Sequence, residues 1–341
     1  MLEGAPALVM AVDRRAQVRL EPRAQPPCLL RAPGIIADTA AFTVRGDGSL
    51  AWEDTPSGDT DQLPLVAQLL QTLVRQGLLN PSALPSFAAT LLTQSFFQPT
   101  PRGDHEKLGL GSSAALTVAL ASALSELAGV RHEAHDSGWF AALVEAHRAL
   151  QGGHGSGLDI AASLFGGLLD YRLRAQTSEP QVRELTLPDG IAASFVWTGR
   201  GASTHSFLHS FARWKTSAPA QWREIMQTLS AIAESGAEAA REHDSRRLLE
   251  AVSRYAEALR VLGAASKMTV FSAEHSEIAA LAGSLGLAYK PCGAGGGDIG
   301  VAVSLNRKRL RQFEHAVGTA GYTVVALRIE DEGVKTQRRV A

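Results

Sequence analysis

The chain has 341 residues, 45% of them apolar and 20% charged, with a formal net charge of -1. That length suffices for two domains with separate cores, and the charge balance offers no basic excess to neutralise a nucleic-acid backbone. Cys28 and Cys292 are too few and too far apart for a disulfide framework or a cysteine metal cluster, which fits a reducing compartment. No apolar run nears the roughly 20 residues of a membrane span, and Met1-Leu2-Glu3-Gly4 lacks the basic start of a secretory leader. A cytoplasmic protein with neither membrane nor nucleic-acid partner is expected.

Leu8 to Leu20 approaches period-two alternation and reads as one strand. Ala41–Val44 and Leu50–Trp52 read as a strand pair joined through Arg45-Gly46-Asp47-Gly48. Leu65, Leu69, Leu70, Leu73 and Val74 draw the stripe of an amphipathic helix between Gln62 and Gly77. Further helices are expected over Ser112–Ala128, Trp139–Leu150 and, briefly, Asp159–Phe165. The polar stretch Ala175–Gly190, with Pro180 and Pro188, reads as the connection between two domains, placed at 1–178 and 190–341. Beyond it come a strand at Ile191–Thr198 and long helices over Ala218–Ser235 and Arg246–Gly263. The chain closes with strands at Leu287–Lys290 and Ile299–Leu305, a helix over Lys308–Gly318 and a strand at Tyr322–Ile329. Helices layered on mainly antiparallel sheets make an α+β protein.

Three segments carry chemistry. Lys107-Leu108-Gly109-Leu110-Gly111-Ser112-Ser113-Ala114-Ala115 sets glycines and two serines directly before an Ala/Leu-rich helix. Bare backbone amides beside the positive end of a helix form an anion cradle, and a serine hydroxyl there can reach a phosphate or its Mg²⁺. The other reading is a turn with serine as helix cap. No Gly-Lys-Ser/Thr ends the run, so it is not a Walker A loop, and the spacing differs from a dinucleotide fingerprint. Pro291-Cys292-Gly293-Ala294-Gly295-Gly296-Gly297-Asp298 packs four glycines into five positions, which asks for close approach of a ligand or another loop, or else marks a hairpin tip. Gln151-Gly152-Gly153-His154-Gly155-Ser156-Gly157-Leu158-Asp159 ends a glycine-rich turn on a carboxylate. Such a group can orient or deprotonate a nucleophile, or simply cap the helix that follows.

Together, in this order and spacing, the segments resemble the GHMP kinase superfamily. Gly109–Ala115 is similar to its phosphate loop, Gly293–Gly297 to its third motif, and Gly155–Asp159 to the segment with the catalytic aspartate. The resemblance implies a two-domain fold, with an N-terminal domain like ribosomal protein S5 domain 2 and a ferredoxin-like C-terminal domain. It also implies ATP and Mg²⁺ as cofactors and a small phosphorylated acceptor, in a monomer or homodimer. Asp159 would be catalytic. Lys107, Gly109, Leu110, Gly111, Ser112, Ser113 and Ala114 would hold the nucleotide, with Ser113 also on the metal. His147, Ser156, Gly157, Ser203, Thr204, Gly293, Ala294, Gly295 and Gly296 would face the acceptor, with Arg200 and Lys290 as further polar contacts. Within the superfamily, Lys290–Asp298, Trp197-Thr198-Gly199-Arg200-Gly201-Ala202-Ser203-Thr204 and His147 with Gln151-Gly152 resemble the phosphomevalonate kinase branch. One departure stands out. The first motif, Pro-Gly-Lys…Gly-Glu-Tyr-Ala-Val, belongs just before the run Leu2–Ala7, where only Met1 stands, and Ile35 occupies the lysine position of the superficially similar Ala32-Pro33-Gly34-Ile35. Either the chain is longer by about one strand, or a sheet edge is left unpaired and a phosphate-neutralising cation is lost.

Overall fold

The computed structural model describes residues 5–53, 62–99, 105–153, 155–173, 180–202 and 204–338. Strands β1 (Ala7–Met10), β2 (Gln17–Pro22), β3 (Cys28–Arg31), β4 (Ala40–Val44) and β5 (Leu50–Trp52) come first. Helix α1 (Gln62–Arg75), strands β6 (Phe87–Leu92), β7 (Phe97–Pro99) and β8 (His105–Lys107), and helices α2 (Ser112–Leu127), α3 (Ser137–Leu150) and α4 (Leu158–Phe165) follow. They form a mixed sheet ordered β2-β6-β3-β4-β5, in which β3 and β6 run parallel. Leu69, Leu70 and Leu73 of α1 meet Phe42 and Phe87 of this sheet in one core, with Leu116, Leu120 and Leu124 of α2. The expected stripes are the faces that bury.

The alternating stretch from Leu8 to Leu20 is two strands in two sheets, not one. β1 pairs with β9 (Leu168–Leu173), which pairs in turn with β10 (Pro180–Leu185), while β2 pairs with β6. Alternation says which face a residue takes but not where the chain turns, and residues 11–16 turn here to follow the C-terminal segment. Among the described residues the outer edges of β1 and β2 carry no partner strand. β10 occupies part of the stretch expected as a connection, with Pro180 opening an edge strand where its missing N–H costs no ladder bond.

The rest of the chain builds a second layer. β11 (Ala192–Trp197), β12 (Ala288–Pro291), β13 (Ile299–Ser304) and β14 (Thr323–Val325) form an antiparallel sheet ordered β12-β13-β11-β14. With α8 (Ala273–Ser284) after β11 and α9 (Arg307–Thr319) after β13, the succession is the β-α-β-β-α-β of a ferredoxin-like domain. Helices α5 (Thr204–Ser217), α6 (Pro219–Arg241) and α7 (Ser245–Ser266) are inserted between β11 and α8. β14 ends earlier than expected because the chain leaves the sheet and returns to the first domain as a strap. There Asp13 N–H donates to Arg328 O (3.0 Å), Glu330 N–H to Ala11 O (3.1 Å) and Gly167 N–H to Glu330 O (2.8 Å). The strap lies so close to α4 that a Cβ on Gly333 would stand 2.0 Å from Leu164 O. No helix among the described residues is long and apolar enough to cross a membrane.

Candidate active site

A cleft of about 2070 Å³ runs between the two layers and along the outer edges of β1 and β2. The turn from β8 into α2 forms one wall. Gly109 (φ +70) and Gly111 (φ +74) are left-handed, a conformation that excludes most side chains, and Gly111 is the N-cap of α2 with no side chain on the helix end. Ser112 is therefore not the cap but the first helical residue. The N–H groups from Gly109 to Ala114 make no hydrogen bond to another described residue. Free amides at a helix N-terminus, backed by its dipole, suit an anion of several oxygens. Lys107, Gly109, Leu110, Gly111, Ser112 and Ser113 line the cleft.

The turn is gripped from below. Leu108 is 1% exposed and packs with Phe195, Trp197 and Ile299 of the second domain.

α4 brings the carboxylate. Its N-cap is Gly157 (φ +80), so Asp159 sits inside the first turn, lines the cleft, and accepts Ile160 N–H at 3.1 Å. A Cβ placed on Gly111 would lie 3.3 Å from the Asp159 Cβ, which brings loop and acid into contact. Between them stands His147 of α3, 2% exposed. Its Nε2 is 3.0 Å from Ser113 Oγ, and its Nδ1 is 3.9 Å from Asp159 Oδ2. Burial pushes the imidazole below its ordinary range; the Asp159 charge opposes this and Lys107 adds to it. The ring is neutral near pH 7 and carries one proton. If the Ser113 O–H donates to Nε2, the serine lone pairs are free for a cation and the ring N–H turns toward Asp159.

Residues outside the three segments hold this geometry. Tyr171 donates its O–H to Ser156 O, and Arg148 Nε donates to Gly155 O at 2.9 Å. A Cβ on Gly157 would meet Val144 at 2.8 Å and Tyr171 Oη at 3.2 Å. Across the cleft, Gly293 and Ala294 line the space, whereas Gly295 and Gly296 lie against backbone. A Cβ on Gly295 would come 2.4 Å from Val270 O, and Gly296 N–H donates to Val270 O at 2.9 Å. The glycines thus answer to another loop. Under that loop lies His275, whose Nε2 is 2.9 Å from Gly297 O and whose Nδ1 is 2.7 Å from Tyr289 Oη. A carbonyl only accepts, so Nε2 carries the proton and Tyr289 donates to Nδ1. None of Tyr171, Arg148, His275 and Tyr289 has a local sequence signal, because each acts through long-range contacts.

Ser156 lines the cleft, and Thr204 opens α5. Ser203 lies outside the described residues. Arg200, 3.3 Å from Glu274, and Lys290 also line the cleft.

The residues fit a nucleotide with its metal. The glycine turn is a cradle that a Cβ would fill, and its amides have no partner among the described residues. No group of three or more His, Cys, Asp or Glu suited to a metal occurs among the described residues, but Mg²⁺ takes one or two protein oxygens beside substrate phosphates. Ser113 and Asp159 are such oxygens.

Known proteins resemble the chain in sequence and in fold. Residues 101–167, which hold the glycine turn, α2, α3 and Asp159, match the family described as GHMP kinases N terminal domain. The chain is 29% identical over 338 residues to phosphomevalonate kinase of Streptomyces sp. (strain CL190), covering 92% of this chain and 87% of that one. Among solved structures, the Lin0012 protein from Listeria innocua superposes with a TM-score of 0.81 at 21% identity, over 96% of this chain and 92% of that one. The Streptococcus pneumoniae phosphomevalonate kinase in complex with phosphomevalonate and AMPPNP superposes with a TM-score of 0.73 at 16% identity, over 96% and 94%. Residues 101–167 thus match a GHMP kinase N-terminal domain, and over nearly its whole length the chain is similar in sequence to one phosphomevalonate kinase and in fold to solved GHMP kinases.

Proposed function

We propose that the chain transfers the γ-phosphoryl group of ATP to 5-phosphomevalonate, giving ADP and 5-diphosphomevalonate, in the cytoplasm. One observation carries the reading: six successive amides, Gly109 to Ala114, without a partner among the described residues, at a helix N-terminus whose next-door carboxylate is Asp159. Support for the substrate comes from the Streptomyces relative and from the similarity of Lys290–Asp298 and Trp197–Thr204 to the phosphomevalonate kinase branch. The domains are placed at 1–178 and 190–341.

Bound Mg²⁺ would neutralise charge on the transferring phosphoryl group. The amides of Gly109–Ala114 hold the nucleotide phosphates, with the Lys107 ammonium beside them. Ser113 and Asp159 offer oxygens to the cation, and His147 fixes the direction of the Ser113 hydroxyl. Asp159 orients the acceptor oxygen. Ser156 faces the acceptor with Gly293 and Ala294 opposite, while Gly157 holds the turn before Asp159, and Gly295 and Gly296 support the wall from behind. An acceptor phosphate is already largely ionised near neutral pH, so placement and charge neutralisation supply most of the acceleration.

An assay of ADP release with phosphomevalonate, mevalonate, homoserine and galactose tests the substrate. Turnover of phosphomevalonate above the others is expected, and its absence overturns the assignment. A second reading, nucleotide binding without turnover, has its own observation: among the described residues the edges of β1 and β2 that line the cleft carry no partner strand. ATP binding without ADP release from any of the four acceptors would favour it.

A further inference from the structure

Asp298, at the foot of β13, carries no role in the proposed transfer, yet it touches the phosphate loop from the opposite domain. A Cβ built on Gly109 would stand 2.4 Å from its Cγ and 2.5 Å from its Oδ2. The contact spans 189 positions of sequence (298 minus 109).

The residue is fixed on all sides. Its backbone is left-handed (φ 56), unusual for a residue with a side chain. Its N–H donates to Arg200 O at 2.8 Å, and its carbonyl accepts from Thr198 N–H and Thr198 Oγ1, both at 3.0 Å. Oδ1 accepts Ala202 N–H at 3.2 Å, leaving Oδ2 toward Gly109. Leu108, the residue before Gly109, is anchored from the same side in the second domain's core. A carboxylate beside a phosphate site opposes the ligand's charge. Its position is therefore explained by what it holds in place.

We infer that Asp298 is a positioning residue for the phosphate loop: a strut from the second domain that sets the left-handed turn at Gly109 and keeps the loop amides turned into the cleft. The inference rests on the nucleotide reading of that loop, and it makes the loop's shape depend on the two domains being closed together.

The test is a double-mutant cycle in the full chain, read as affinity for AMPPNP with Mg²⁺ by titration calorimetry. Asp298→Ala is expected to weaken binding by about tenfold or more, and Asp298→Asn, which keeps both the bulk and the acceptor for Ala202, by about threefold at most. Gly109→Ala weakens binding in the natural background because its Cβ meets the carboxylate. In the Asp298→Ala background that loss shrinks by about fivefold or more, while the strain of a left-handed alanine is common to both and cancels. Asp298→Ser replaces the alanine variant if circular dichroism shows that the latter does not fold. Natural-like affinity in Asp298→Ala overturns the strut. So does equal damage from asparagine and alanine, or a Gly109→Ala loss of the same size in both backgrounds. If the unaltered chain binds no AMPPNP, the nucleotide reading itself falls, and the strut with it.

Discussion

Ser113 Oγ lies 3.0 Å from Nε2 of His147, a ring 2% exposed whose other nitrogen faces Asp159. A hydroxyl from α2 and a carboxylate from α4 are thereby joined through one neutral imidazole from α3. Removing the ring frees the serine rotor and leaves a cavity beside the acid. His147→Ala is expected to lower kcat by about 10- to 100-fold, as loss of a buried partner to a metal-binding side chain does. Steady-state kinetics at saturating ATP check this, and kcat within twofold of the natural protein would exclude the role.

Asp159→Asn keeps the shape and the acceptor for Ile160 N–H but removes the charge. Turnover should fall by about 10²- to 10⁴-fold, the range for loss of a positioned acid or base. The melting temperature should stay put. Near-normal turnover would refute a direct part in transfer.

Burial lowers the imidazoles of both His147 and His275 from their ordinary range. The unfolded chain takes up protons near pH 6.5 while the folded chain declines them, so the sign is fixed. Stability is complete above about pH 6.5 and drains away as the pH falls toward the depressed folded values. Urea midpoints at pH 7.5 and pH 5.5 should differ, and His275→Gln should reduce the difference. An unchanged gap in that variant would remove His275 from the account.

Asp298 behaves in the opposite sense. Burial raises its carboxyl, opposed by the Ala202 N–H and then Lys107, so the charged form carries a folding penalty at every pH above its folded value. Asp298→Asn should raise the melting temperature at pH 7.5 and lose that advantage at low pH. A lower melting temperature at pH 7.5 would contradict it.

Arg241 of α6 reaches across to Asp170 of β9, a side chain 5% exposed, at 2.9 Å. Arg241→Ala strands a buried carboxylate, a change that costs about 3–5 kcal/mol. Chemical denaturation measures it. A loss below about 1 kcal/mol would show that Arg172, 3.5 Å from the same carboxylate, suffices.

Much of this molecule is legible locally. The helices over Ser112–Leu127 and Ser245–Ser266 follow from leucine and alanine spacing, and the two glycine turns announce themselves because left-handed backbone and close approach demand glycine. β6 (FAATLL) is a nearly continuous apolar run that shows no period and escapes a reading by alternation, whereas β9 (LLDYRL) alternates over Leu169–Leu173 and carries a strand signal that the expected elements leave out. α8 is short, with its buried positions spread thinly over His275, Ile278 and Ala282. In the site, Asp159 and Ser113 ride on local motifs. Asp298 reads in sequence only as the end of a glycine run, and its partner Gly109 is supplied by tertiary structure.

The strap from Arg328 to Glu330 fastens the second domain to residues 11–13 and 167 of the first by main-chain bonds. A cleft clamped along one side opens the way a jaw does, by swinging about that side. Any widening of the cleft is then a rotation, with the travel greatest at the lip farthest from the clasp.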